Sequence, residues 1–261
     1  QVGGLTLGSN YTLNASNTGN LDEVVGNIRF LGNVTLDGNM TIDSNGGDIT
    51  FDGTVSGTNG DEVLTVTDGA GGSENGTITF GGNVGAGNNL LSLVATADTA
   101  IKFGGTVTTA NANNNHIDIN GPVVLTDNTI FDTSANDGTI DFNSTINSET
   151  TTEKSLTLKS NGGTVKVHGL IGGVKDIAAL KINSQAAGES GNGAITLTGV
   201  GGSSSQIGIT GNIEIGNNST TSVTLNGTYY NLDGDATITT TNVADKIAIG
   251  DDLTIKNAGH K

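Results

Sequence analysis

The chain has 261 residues, with 42 Gly, one Pro, no Cys, no Trp and a formal net charge of -16. So acidic a balance excludes the clustered Lys and Arg that phosphate binding needs, so nucleic acid is not an expected partner. The lack of Cys excludes disulfides and thiolate metal sites, and there is no apolar run of the ~18 residues that a membrane-spanning helix requires.

Residues 1–27 are irregular. Leu5-Thr6-Leu7 and Tyr11-Thr12-Leu13 have strand character, and Asn14 to Asn20 has the composition of a loop. The segment is expected to be an atypical first coil, as terminal repeats often are. Residues 28–261 are expected to form one elongated repeat domain.

From Ile28 a seven-residue phrase recurs: apolar-x-apolar-x-small-x-apolar. It spans Ile28 to Val34, Ile49 to Val55, Ile78 to Val84, Ile101 to Val107, Ile117 to Val123, Ile140 to Ile146 and Val165 to Ile171. Ile207 to Ile213 fits the same frame. Ile and Val come first, Phe is often third, and Gly is usually fifth. Alternation of this kind marks half-buried strands, not disorder. The phrase starts are 21, 29, 23, 16, 23 and 25 residues apart, so loops must absorb the differences.

Second short strands lie between many of the phrases, as at Leu64-Thr65-Val66, Leu91-Ser92-Leu93, Leu156-Thr157-Leu158, Leu180-Lys181-Ile182 and Val223-Thr224-Leu225. Gly- and Asn-rich turns follow, at Gly69 to Gly72 and at Asn161 to Gly163, where positive φ is tolerated. The best helix candidate, Val174 to Lys181, is short. After about residue 190 the register blurs: Ile195 to Val200 is one residue short of the phrase.

A repeat of this scale and composition points to an all-β solenoid. On a coil, the first, third and seventh positions point inward and the small fifth residue lets the chain bend. At ~4.8 Å per coil, about ten irregular coils make a rod of roughly 50 Å.

Phrases such as Gly47-Asp48-Ile49-Thr50-Phe51-Asp52-Gly53-Thr54-Val55 and Gly76 to Val84 resemble the repeats of filamentous-haemagglutinin-like adhesins and autotransporter passenger regions. The resemblance covers roughly residues 28 to 215. It implies a right-handed parallel β-helix, secretion from a bacterium, and a role as stalk, fibre or adhesin. The chain departs from that pattern in having no Asn-Pro-Asn motif and no C-terminal membrane barrel. Gln1 at the start and the absence of a signal peptide fit a processed extracellular form.

Chemistry is sparse. Asp233 with Asp235, and Asp251 with Asp252, are the tightest unusual carboxylate pairs, and surface turns explain them. Calcium is the candidate cofactor for these oxygens, although no nonapeptide array or EF-hand loop supports it. His116, His168 and His260 are read as solvated surface. Lys154, Lys159, Lys166, Lys175 and Lys181 hold half of all the basic residues. They form a candidate interaction stripe or, more simply, a solvated face that blunts lateral aggregation. Asn-x-Ser/Thr sequons begin at Asn10, Asn14, Asn33, Asn39, Asn75, Asn143, Asn217, Asn218 and Asn226.

The expected function is therefore non-enzymatic: an extracellular or cell-surface solenoid that stacks end to end into a fibre, filament or stalk. An adhesin fragment that binds host or neighbour-cell glycans or proteins through corner loops is the alternative. A polysaccharide-active enzyme and an ice-binding protein are weaker ones, lacking a carboxylate groove and a regular Thr-x-Thr array respectively. No membrane insertion is expected.

Overall fold

The computed structural model describes residues 5–7, 11–14, 26–69, 76–110, 116–149, 152–203, 206–241, 246–249 and 254–257. The strands at 5–7, 11–14, 246–249 and 254–257 are described by their backbone alone.

The phrase dictates the architecture. Its alternating β-branched residues form strands of two to seven residues, and every strand pairing among the described residues is parallel and joins successive turns. The result is a parallel β-helix, a β-solenoid with three faces. The first face stacks Met40–Asp43, Val63–Thr67, Ser92–Thr96, His116–Asn120 and their successors up to Ser222–Leu225. The second starts at Ile28–Phe30, and the third includes Val34–Leu36 and runs to Ala236–Ile238. On the second face Ile28, Ile49, Ile78, Ile101, Val123, Ile146, Ile171, Val200 and Tyr230 lie in one column, which is eight turns. At ~4.8 Å per turn they span about 40 Å. Leu5–Leu7 and Tyr11–Asn14 continue the third and first faces below, and Lys246–Ile249 and Thr254–Asn257 continue the first and second above.

The core is a set of side-chain columns. Ile49, Phe51 and Val55 are buried, as are Ile78, Phe80 and Val84, so the first, third and seventh positions do point inward. Phe30, Phe51, Phe80 and Phe103 stack face to face with centroids 4.8, 5.1 and 5.3 Å apart. The column then turns through Phe131 and Phe142, each meeting its predecessor edge-on at 4.9 Å.

The structure corrects the phrase in three ways. First, it does not mark one face. Ile28, Ile49, Ile78 and Ile101 stack on the second face, but Ile101 pairs with Val123, while Ile117 pairs with Leu93 and Ile140 on the first. The six-residue step from one inward residue to the next face bridges the second-to-third corner in the early turns and the first-to-second corner in the later ones. The 16-residue spacing from Ile101 to Ile117 is therefore only part of a coil.

Second, from Gly53 onward the fifth-position Gly residues serve close approach, not a special bend. Gly53 and Gly82 have no positive φ, yet a Cβ on Gly53 would lie 2.6 Å from Asn33 Oδ1 and one on Gly82 would lie 2.6 Å from Gly53 O. Positive φ does occur in the wider turns, at Gly69 (94°) and Asn161 (50°).

Third, Ile207 is 38% exposed and begins no rung, whereas Ile209 is buried and bridges Ile177. The helix candidate is likewise not helical: Val174 to Ala178 is irregular and Ala179–Ile182 is a strand.

The short phrase at Ile195 to Val200 still delivers Val200 to Ile171, through a register shift between Val167 and Leu170. Among the described residues the helical elements are two 3-10 turns, Ser134–Asn136 and Gln185–Ala187, and no helix is long and apolar enough to cross a membrane.

Candidate functional site

Polar corner residues hold the turns together. Asn33 Oδ1 accepts the Thr54 N–H at 3.0 Å, Asn83 Oδ1 accepts that of Thr106 at 2.8 Å, and Asn39 Oδ1 accepts that of Val63 at 2.9 Å. Each amide oxygen satisfies a backbone donor one turn on, where the ladder breaks at a corner. Buried hydroxyls act within a turn: Ser160 Oγ donates to Gly163 O and Thr133 Oγ1 to Gly138 O, both at 2.7 Å.

Among the described residues three carboxylates are buried in the wall, Glu62, Asp68 and Glu189. Glu62 Oε1 accepts backbone N–H groups of Thr58 and Asn59 at 2.7 Å, and its Oε2 accepts that of Gly60 at 2.9 Å. Burial pushes its pKa up, but these bonds to the charged form more than offset that, and the net direction is down. Asp68 goes the other way: burial, with the nearby Asp98 carboxylate, raises its pKa. Asp68 Oδ2 accepts the Asp98 N–H at 3.1 Å, and Oδ1 has no partner among the described residues.

The lysines do not share one face. Lys159 and Lys181 stand on the third face, Lys166 on the first, and Lys154 and Lys175 on loops beside the second-to-third corner. Lys159 Nζ lies 3.1 Å from Asp132 Oδ2 on the preceding turn and 3.3 Å from Glu189 Oε1 on the following one. Burial lowers the Lys159 pKa, but the two carboxylates raise it further. Asp132 is raised by burial and lowered more by Ser134 and Lys159, so its net direction is down. Lys154 pairs with Glu149 at 3.6 Å and Lys181 with Glu214 at 3.6 Å. Three of the five lysines are thus spent on contacts inside the chain, a feature that one-dimensional charge spacing does not show.

Asp233 is half-buried and Asp235 exposed. The Asp233 N–H donates to Ile209 O and the Asp235 N–H to Asn212 Oδ1, which is turn geometry. Among the described residues no group of three or more His, Cys, Asp or Glu could hold a metal ion. Asp251, Asp252 and His260 lie outside the described residues. His116 is on the first face, paired in register with Ser92 and Thr139.

His168 is exposed, with Nε2 3.1 Å from Asp141 Oδ1. One turn below, Asp118 Oδ1 accepts from Asn143 Nδ2 at 3.1 Å. This mixed patch on the first face is where charged and amide groups of adjacent rungs pair. Among the sequons, Asn217 is buried and spends its Nδ2 on Asn183 O, so glycosylation there would break a structural bond. Asn33, Asn39, Asn143, Asn218 and Asn226 are exposed, Asn10 and Asn75 lie outside the described residues, and Asn14 is described by its backbone alone.

Long loops gather on the second-to-third corner of the later turns. Asn147 Oδ1 accepts the N–H groups of Val174 and Lys175, Gln206 Nε2 donates to Gly172 O at 3.0 Å, and Thr210 Oγ1 donates to Glu153 Oε2 at 2.6 Å. Burial and the Glu153 carboxylate raise the pKa of Asp176 here. Val174, 83% exposed, stands on this protrusion.

No protein-family profile, curated protein or solved structure matches this chain.

Proposed function

We propose that this β-solenoid is a non-enzymatic structural protein of the cell surface, bacterial and extracellular, and that it builds a fibre or stalk by stacking end to end. The observation that carries the reading is the winding itself, in which one column runs from Ile28 to Tyr230 over eight turns, every one stacked parallel on its neighbours. Among the described residues no strand stacks on Ala236–Ile238, and an apolar hollow there is lined by Ile213, Ile215, Tyr230, Leu232 and Ile238. Parallel strands stacked this way extend by adding further parallel strands along the same axis. The side walls point the same way, because three lysines are neutralised within the chain. Sedimentation velocity over a wide concentration range tests the proposal. Growing oligomers support it, and a single monomeric boundary at every concentration rejects it.

A second reading is adhesion through the corner loops. It is favoured by the fastened protrusion that carries Val174. It predicts saturable binding to a cell surface that is lost when residues 172–176 are replaced by a short Gly-Ser turn.

A further inference from the structure

Asn–Gly steps, which mark turns, stand in the sequence at Asn45, Asn59, Asn75, Asn120, Asn161, Asn192 and Asn226. Such a step is chemically labile, because Gly has no Cβ to keep its nitrogen away from the Asn side chain. The Gly nitrogen bonds to the Asn Cγ, the Cγ–Nδ2 bond breaks, and ammonia leaves with the Gly proton. Water then opens the cyclic imide to Asp or isoaspartate. Ring closure needs the Gly N–H to give up its proton and the turn to rotate. A hydrogen bond to that N–H inside a packed turn opposes both.

Such bonds are present. The Gly46 N–H donates to Asp68 O on the following turn, that of Gly60 to Glu62 Oε2 at 2.9 Å, and that of Gly193 to Asn161 O at 3.1 Å. The step at Asn161 is held from both sides. Gly162 N–H and Asn161 Nδ2 both donate to Asp137 Oδ1 at 2.8 Å, on the preceding turn. The Asn161 N–H donates to Glu189 Oε2 at 2.9 Å, on the following turn. The Asp137 carboxylate lies directly over Gly162, where an added Cβ would be 2.8 Å from Asp137 Cγ.

We propose that Asn161 is a latent self-modification site, deamidating through attack by the Gly162 nitrogen, and that Asp137 guards it. In the folded chain the carboxamide and the attacking nitrogen are tied to one carboxylate oxygen, so ring closure waits for the corner to open. Conversion adds a negative charge between Asp137 and Glu189, and isoaspartate lengthens the backbone of a pinned turn. The corner beside the Lys159–Glu189 pair is then the place where the wall ages. The inference stands independently of end-to-end stacking.

Asp137 is exposed and lies in the left-handed region at φ 54°, so Asp137→Gly removes the carboxylate without straining the backbone. Folded and urea-unfolded chains are incubated at mildly alkaline pH, and peptide mapping by mass spectrometry follows conversion at each step. In the unmodified sequence Asn161 should convert about tenfold or more slowly when folded than when unfolded, the difference being the cost of local opening. In folded Asp137→Gly it should approach the unfolded rate. Asn45 and Asn59, whose following Gly N–H groups bond elsewhere, should stay slow in that variant. Equal rates at Asn161 in the folded and unfolded unmodified chain overturn the proposal, as does an unchanged Asn161 rate in folded Asp137→Gly. Release of Asn45 and Asn59 together with Asn161 means general loosening and overturns Asp137 as a local guard.

Discussion

Phe51 and Phe80 are 29 residues apart in the chain, yet their rings stack with centroids 5.1 Å apart and only 4° between their planes. The pair shows how the solenoid works: like residues at like positions meet one turn apart. Phe80 is buried and sits between Phe51 and Phe103. Phe80→Ala should cost about 3–5 kcal/mol, and Phe80→Leu less, because Leu fills part of the gap. Since each turn contacts only its neighbours, the loss should be local. Hydrogen exchange should show weakened protection first in the strands Ile49–Phe51 and Ala100–Phe103. A uniform loss over all turns would contradict nearest-neighbour stabilisation.

Two glycines at the same phrase position should respond in opposite senses. A Cβ on Gly82 would lie 2.6 Å from Gly53 O, whereas one on Gly32 meets nothing within 4 Å among the described residues. Gly82→Ala should destabilise by about 1–3 kcal/mol through forced separation of turns. Gly32→Ala should be neutral, or stabilising by up to about 1 kcal/mol through the unfolded chain. Urea midpoints of the two variants check this, and equal effects would show that bending, not close approach, selects Gly.

The Lys159 clamp joins three consecutive turns, with Glu189 almost wholly buried. Lys159→Met should cost about 3 kcal/mol, because it leaves carboxylates facing each other without their cation. The triple variant Asp132→Asn/Lys159→Met/Glu189→Gln should recover more than half of that loss. If the triple variant is worse than the single one, the clamp is not an ion-pair network.

The same clamp sets a pH dependence. Asp132 has its folded pKa below the unfolded one, so its contribution is present above the usual carboxylate value of about 3.9 and is lost as pH falls through the folded value. Glu62 acts in the same direction. Lys159 has its folded pKa raised, so its contribution is full below about 10.4 and is lost as pH rises through the folded value. Urea midpoints should therefore fall on acidification below about pH 4. The Asp132→Asn variant should show a shallower fall, and an unchanged slope would remove Asp132 from the account.

Tyr230 gives an alkaline signature. Its hydroxyl donates to Leu197 O at 2.9 Å, and burial pushes its pKa up to about 12. The folded state holds this proton longer than the unfolded state does, so its stabilisation is full below about 10 and is lost as pH rises toward 12. Absorbance at the tyrosinate band should show one late-titrating phenol, absent in Tyr230→Phe. Complete titration of all tyrosines near pH 10 while the fold persists would contradict the buried hydroxyl.

Much of the wall was legible because it is local. Ile49, Phe51 and Val55 declare their burial by alternation alone. The face they lie on is a different matter. A six-residue corner step has the same local pattern at either corner, so the phrases starting at Ile101 and Ile117 look alike while lying on different faces. What separates them is loop length, and the 16-residue spacing was its trace. Glu62 was not legible, because the backbone donors that stabilise it come from a turn whose shape Thr58 to Gly60 do not announce. The lysine stripe dissolved for a related reason: which side of the solenoid a residue meets depends on every insertion before it.

Electron microscopy of the purified chain tests end-to-end stacking most directly. Rods whose lengths are whole multiples of one unit, longer at higher concentration, are expected. Particles of a single unit length at every concentration, with no longer rods, would contradict it.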